Sequence, residues 1–357
     1  MPRQLSLMIY LNPAGLAPFH PDVQQEISRT LDTFSHLLYA EAGIQHYRDT
    51  LQRCRRTIAD WLTLNDEQRL AFMPNTTTAC SLVLARINWK PGNVILTTTH
   101  ENSTILHEIE KLGDRGVRII ALDPDVPSGF LPALERTLDE QPIQAIVISH
   151  VSHFDGRIFP ITTIQSLAQS HHTRLIVDGA QAIGHIPVSF QEISPYAYFF
   201  PGHKWCVGPM GTGALIIGED GHQDTQPYWA GYELGTQNIG LIAGFAKACH
   251  LKAQKNPHNQ ILEQVREEWK VCLGHYPGIR IIEWDGPHAP GILSFACLDE
   301  HTEQAMHTLS STHSIAWKTL THPSYPSSLS IRVSWTTDTP SIDIRSTLAL
   351  FTSLSNE

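Results

Sequence analysis

The sequence predicts an α/β protein, with a large domain built on a mostly parallel sheet followed by a small α+β domain. Three observations carry this prediction. Short apolar, β-rich runs alternate with helix-like segments between residues 70 and 220; a long helical pattern replaces them from about Leu241; and strand-like pieces return before a last helix.

In chain order, residues 1–21 are expected to form an N-terminal arm, 22–245 the large domain and 246–357 the small C-terminal domain. Within the large domain, Val94–Thr99, Val117–Leu122, Gln144–Ser149, Arg174–Val177, Tyr196–Phe200 and Gly213–Ile217 read as strands, each a short apolar run, and the last pair is open to an antiparallel arrangement. Apolar periodicity over Cys80–Ile87 predicts a helix whose N-terminus carries Thr76, Thr77 and Thr78. Leu241–Leu273 reads as helical, interrupted by the breakers Asn256 and Pro257. Ile279–Trp284, Gly291–Cys297 and Ser330–Ser334 read as strands and Ile342–Leu354 as the final helix.

Bulk properties narrow the function. A formal charge of −10, with 41% hydrophobic and 17% charged residues, argues against nucleic acid or an anionic membrane as partner. No apolar stretch approaches the length of a membrane span, so the protein is expected in the cytoplasm. Six cysteines without a C-x-x-C pair disfavour a zinc knuckle or a disulfide framework. The 20 histidines lack H-x-x-x-H spacing with a matching carboxylate set, and no metal is expected.

Two residues point to chemistry. Asp178 ends the apolar run Leu175-Ile176-Val177, and Lys204 follows in Gly202-His203-Lys204-Trp205. A carboxylate that keeps a pyridine nitrogen protonated and an amine that forms a Schiff base are what pyridoxal phosphate (PLP) chemistry needs. A buried strand-end Asp is costly unless paired, and a cationic ring nitrogen is a suitable partner. The threonines at the predicted helix N-terminus add an anion site suited to a phosphate. No G-x-G-x-x-G or G-x-x-x-x-G-K-[ST] motif follows a strand, which counts against a nucleotide site.

With these residues in place, the chain resembles the class V aminotransferase family of fold type I PLP enzymes, which includes cysteine desulfurases, the cysteine/cystine C–S lyase and isopenicillin N epimerase, and the resemblance implies a large-domain sheet of the seven-stranded type. The resemblance runs through Tyr10–Gly15, Asn75–Ala79, Ser149–Ser152, Val177–Gln181, Gly202–Trp205, Glu233–Asn238 and Ile331–Ser334. It implies that Lys204 holds the cofactor and shuttles the α-proton, that Asp178 pairs with the pyridine nitrogen, and that Gln181 bonds the phenolic oxygen. It places Thr76, Thr77 and His203 on the phosphate, with Gly235 and Thr236 reaching the same phosphate from the other subunit of a homodimer. Arg332 would grip the α-carboxylate of an amino-acid substrate with its planar fork. Asn12, Ala14 and Lys318 fall at further substrate positions.

Several positions depart from the family pattern. Asn102 stands where relatives stack a ring on the cofactor, with His100 and Glu101 as the alternatives if the register shifts by one residue. Pro201 replaces a phosphate-binding Ser or Thr, and His153 replaces an Asn near the cofactor oxygen; His153 is either a pocket base or a packed ring. Desulfurases carry a cysteine shortly before the carboxylate-binding arginine, but residues 315–330 contain none, and the matching place falls near His322-Pro323. Lys318 followed by Arg332 resembles instead the C–S lyase pattern of two cations bracketing a short loop. The expected reaction is β-elimination from cysteine, cystine or an S-substituted cysteine or its sulfoxide. Transamination, epimerisation of the isopenicillin N type and a non-enzymatic PLP-binding role are the alternatives.

Overall fold

Strands form from the apolar runs because most of those runs are covered on both faces. In the computed structural model, which describes residues 8–37, 40–218, 228–255, 260–337, 339 and 347–351, the chain divides into two compact units. The larger comprises Pro18–Val151 and Phe159–Asn256, and the smaller Met1–Ala17, Ser152–Ile158 and Pro257–Glu357. The expected boundary at 245/246 falls inside a helix, Ile239–Ala253, that packs on two N-terminal helices and so stays with the larger unit. Residues 152–158, expected in the large domain, belong to the smaller unit.

The first strand, β1 (Ile9–Tyr10), belongs to the smaller unit. The larger unit then runs α1 (Pro21–Leu37), α2 (Glu41–Trp61), β2 (Leu70–Met73), α3 (Thr76–Arg86), β3 (Val94–Thr98), α4 (Ser103–Glu110) and β4 (Arg118–Leu122). It continues through α5 (Phe130–Glu140), β5 (Ala145–Ser149), α6 (Ile161–Ser170), β6 (Arg174–Asp178), β7 (Ala197–Pro201), β8 (Gly213–Ile217) and α7 (Ile239–Ala253). Its seven strands lie in the order β2-β8-β7-β6-β5-β3-β4. Only β8 is antiparallel to its neighbours. Every residue of β3, β5, β7 and β8 is buried, which explains their mostly apolar character, whereas β4 at the edge is mostly exposed.

Side-chain alternation splits the core between the two sheet faces. Ile146 and Ile148 meet Ile58 of α2, Leu134 of α5, Ile164 of α6 and Phe245 of α7. Ala145 and Val147 turn the other way, toward Val83 of α3 and Ile105 of α4. The parallel strands therefore end together at one edge, and the register sets Ser149 of β5 beside Asp178 of β6, and Asp178 beside Phe199 of β7.

The smaller unit adds α8 (Gln260–Leu273), β9 (Ile279–Ile282), β10 (Ile292–Cys297), α9 (Glu300–His313), β11 (Ile315–Ala316), β12 (Lys318–His322) and β13 (Tyr325–Ser334). An antiparallel sheet β12-β13-β10-β9 carries a core of Trp269, Trp335, Phe295, Val333 and Phe351, while β1 pairs in parallel with β11. The strand expected at Ser330–Ser334 extends back to Tyr325, and its hairpin partner β12 went unread because it is polar and mostly exposed. Asn256, Pro257 and most of the expected final helix lie outside the described residues, and 347–351 are helical. Among the described residues no helix is long and apolar enough to cross a membrane.

Candidate active site

Asp178 closes β6 with its carboxyl buried, and the backbone N–H of Ala180 donates to its Oδ1 at 2.8 Å. Burial raises its pKa to about 6, while the field of Lys204 and the Ala180 amide act to lower it. Lys204, in the turn after β7, is thus electrostatically coupled to Asp178. That turn is pinned at its base, where Gly202 N–H donates to Thr212 O at 2.8 Å and Gly208 N–H to Gly202 O at 2.7 Å.

Gln181 is buried beneath the same turn, its Oε1 accepting the Trp205 indole N–H at 2.6 Å. The indole stacks on His185 at 3.5 Å, and His185 Nδ1 lies 2.9 Å from the Gln181 carbonyl. Because the indole can only donate, the carboxamide is fixed with its oxygen toward Trp205 and its NH2 turned away. Gly184 closes the arrangement at φ +83°, with no room for a Cβ against the Trp205 carbonyl. His203 is half-buried, and its Nδ1 is buried with no hydrogen-bond partner among the described residues. Burial, followed by the charge of Lys204, lowers its pKa to about 4, so the ring is neutral.

At the end of β2, Asn75 caps α3 by accepting the Thr78 N–H at 2.8 Å, and Thr76 and Thr77 form the first turn. Asn102 likewise caps α4, its Oδ1 accepting from Thr104 N–H at 3.0 Å and Thr104 Oγ1 at 2.8 Å; its amide serves the helix end first. Glu101, weighed above only as a register alternative, is buried between Thr98 Oγ1 at 2.7 Å and Ser149 Oγ at 2.6 Å. Burial raises its pKa to about 7 against those hydrogen bonds, and Asp178 raises it further. His100 is fully buried. A second buried pair, His150 Nδ1 and Tyr198 Oη at 2.9 Å, keeps a neutral imidazole, its pKa lowered by burial to about 4.

Gly235 and Thr236 are exposed in the loop before α7, Gly235 with φ +71°. Glu233 anchors that loop through a buried ion pair with Arg55 of α2 at 2.7 Å, and also accepts the Phe72 N–H at 2.8 Å.

In the smaller unit Arg332 is buried in β13, donating from Nη1 to the His153 carbonyl at 2.7 Å and from Nη2 to Asn12 Oδ1 at 3.1 Å. Its Nε is buried without a hydrogen-bond partner among the described residues. Burial lowers its pKa to about 10, so it remains charged at neutral pH. Lys318 is exposed and lies directly opposite Arg332 across β12 and β13, on the same face. Ala14 N–H donates to Ser334 Oγ at 3.0 Å, tying residues 12–15 to β13. The half-buried His153 ring packs on Phe154 at 3.9 Å. Asp155 and Arg157, which no motif marked, are also buried in this unit, as is His322, noted above only as the place of the missing cysteine.

Residues 9–344 match the aminotransferase class-V family. The chain belongs to that family. It is accordingly a PLP-dependent enzyme of fold type I. A probable cysteine desulfurase of Mycolicibacterium paratuberculosis is 27% identical over 225 residues, covering 56% of this chain and only 33% of that relative. A cysteine desulfurase of Escherichia coli is 26% identical over 319 residues, 82% of this chain and 76% of its own. Among solved structures, the cystine C–S lyase C-DES with its product cysteine persulfide superposes with TM-score 0.85 at 22% identity, over 97% of this chain and 98% of that one. A variant of C-DES with glycine covalently linked to its PLP cofactor gives 0.84 at 22% identity, over 97% of each chain.

PLP fits the residues present. A buried carboxyl held above its usual range gains from a protonated pyridine nitrogen, and an unpartnered His203 Nδ1 and a capped helix N-terminus are suited to the phosphate.

Proposed function

We propose that the protein is a C–S lyase that carries out β-elimination on cysteine, cystine or an S-substituted cysteine, acting as a cytoplasmic homodimer. The observation that carries this reading is the hairpin Lys318–Ser334, which sets Lys318 opposite Arg332 and contains no thiol. Five of the six cysteines are buried, and burial raises the thiol pKa of Cys54, Cys80, Cys249 and Cys297, so they are poorly suited to accept sulfur. Six free cysteines also suit a reducing compartment.

When bound, PLP supplies an electron sink for charge developed at the substrate α-carbon. In our reading Lys204 Nζ holds the cofactor and, once released, takes the α-proton; Asp178 keeps the ring nitrogen protonated; and Gln181 faces the phenolic oxygen with its NH2. Thr76, Thr77 and His203 would hold the phosphate, joined by Gly235 and Thr236 of the second subunit, and Asn102 would cover the ring. Arg332, backed by Asn12, Ala14, His153 and Lys318, receives the α-carboxylate. Its unpartnered Nε adds a donor to a buried cation that an anion would complete.

The test is turnover of a panel of cysteine, cystine and S-substituted cysteines, reading keto acid and ammonia together with the released sulfur product, which is sulfide from cysteine, persulfide from cystine and thiol from an S-substituted cysteine. Equimolar products without an added keto acid are expected. Turnover only when a keto-acid acceptor is supplied would reassign the enzyme as a transaminase.

A further inference from the structure

Residues 152–158 form a tight loop that holds more charge than a turn needs. Ser152 N–H donates to Arg157 O at 2.9 Å and Gly156 N–H to Ser152 O at 3.1 Å, closing the loop, with Gly156 at φ +79°. Its far side is fixed to the smaller unit by Ile158 N–H on Pro287 O at 3.0 Å, Ala289 N–H on Gly156 O at 2.7 Å, and Ser294 Oγ on the Phe154 carbonyl. These contacts hold the loop through its backbone and the Ser294 hydroxyl, and none of them uses the side chains at 155 and 157.

The side chains at 155 and 157 are nevertheless charged and almost wholly buried, at 0% and 2% exposure. Asp155 Oδ1 accepts the Arg157 N–H at 3.0 Å; its Oδ2 lies 3.4 Å from Arg157 Nη2 and 3.7 Å from His322 Nε2. The Arg157 guanidinium lies 4.8 Å over the Trp284 ring, and the His322 ring meets Phe154 edge-on at 5.5 Å. Burying charge in this way costs desolvation and is a poor route to stability, while removing one partner leaves the other exposed to that cost. What the pair fixes is orientation.

Asp155 contacts a neighbour of each half of the carboxylate clamp, without touching the clamp itself. On one side it shapes the loop whose His153 carbonyl accepts Arg332 Nη1; on the other it meets His322 at the end of β12, the strand that holds Lys318 opposite Arg332. We infer that Asp155 is a positioning residue that sets the direction of the Arg332 fork, and so makes the enzyme selective for amines that bear an α-carboxylate. This rests on the reading of Arg332 as the carboxylate clamp.

The test uses holoenzyme and compares apparent Kd for L-alanine and for ethylamine, read from the cofactor absorbance change, so that the two ligands differ chiefly in the carboxylate. Wild type should prefer L-alanine, and Asp155→Asn should lower that preference by about tenfold or more, the loss expected when a charge-assisted contact is misaligned. Cofactor content and the ethylamine Kd should stay as in wild type. Asp155→Glu, which keeps the charge, should recover part of the preference. If Arg332→Ala leaves the preference intact, the clamp reading itself fails. If Arg332→Ala abolishes it and Asp155→Asn does not, only the positioning role is overturned. Equal weakening of both ligands in Asp155→Asn would mark the residue as structural and likewise overturn the inference.

Discussion

A carboxyl whose pKa is raised in the folded state binds its proton more tightly there than in the unfolded chain, so stability is lost as pH rises through the folded value. Glu101, at about 7, is in that position. In the cofactor-free protein its contribution is present below the ordinary carboxyl range and drains away between about pH 4.5 and 7, worth roughly 3 kcal/mol. Because buried His150 and half-buried His203, with lowered pKa values, push stability the opposite way, the readout is a difference: in thermal unfolding of the apoprotein at intervals from pH 5 to 8, the melting temperature of wild type should fall relative to that of Glu101→Gln over that window. A difference that stays constant with pH would mean that Glu101 is not the titrating group. Lys204 and Asp178 were legible in sequence because their chemistry is rare and their neighbours form a recognisable string. Asp155 was not, Glu101 was named only as a register alternative and His322 only as the place of a missing cysteine, since a polar residue reads as solvated until the packing around it is known.

At the scale of elements, the N-terminus of α3 depends on Asn75, whose side chain satisfies one of the otherwise open amides beside Thr76 and Thr77. Asn75→Ala should cost about 1 kcal/mol of stability. If this helix end holds the cofactor phosphate, the variant should also lose PLP faster on dilution, measured by decay of cofactor absorbance; loss of stability with normal retention would separate the cap from the cofactor. Most strands of the large sheet were legible for a physical reason: a strand buried on both faces has no polar alternation, so its apolar run stands out between helical stretches. β2 is only four residues long and β12 is polar and mostly exposed, so neither carries that signature. The direction of β8 was open in sequence, because an apolar run of five residues does not say which way it points, and pairing with β2 and β7 settled it as antiparallel.

For the whole molecule, the exposed Gly235–Thr236 loop gives the proposed homodimer a direct test. The native mass should be twice the 39.9 kDa of the chain. Lys204→Ala and Thr236→Glu chains, each inactive or nearly so alone, should regain activity when unfolded and refolded together, since a mixed dimer with shared sites places both defects in one site and leaves the other intact. No recovery despite mixed-dimer formation would show that Thr236 serves its own chain. The division of the smaller unit among three separate stretches of sequence also governs how the protein emerges from the ribosome. β1 is made well before its partner β11, which lies some three hundred residues downstream, a wait of roughly 15–60 s at about 5–20 residues per second. The larger unit has all of its sequence by Asn256 and can fold during that interval, while residues 8–17 and the loop at 152–158 are held over for a unit not yet synthesised. A nascent chain stalled shortly after residue 256 would therefore have its sheet formed and these two segments open to protease, and both would become protected only once β13 has been released.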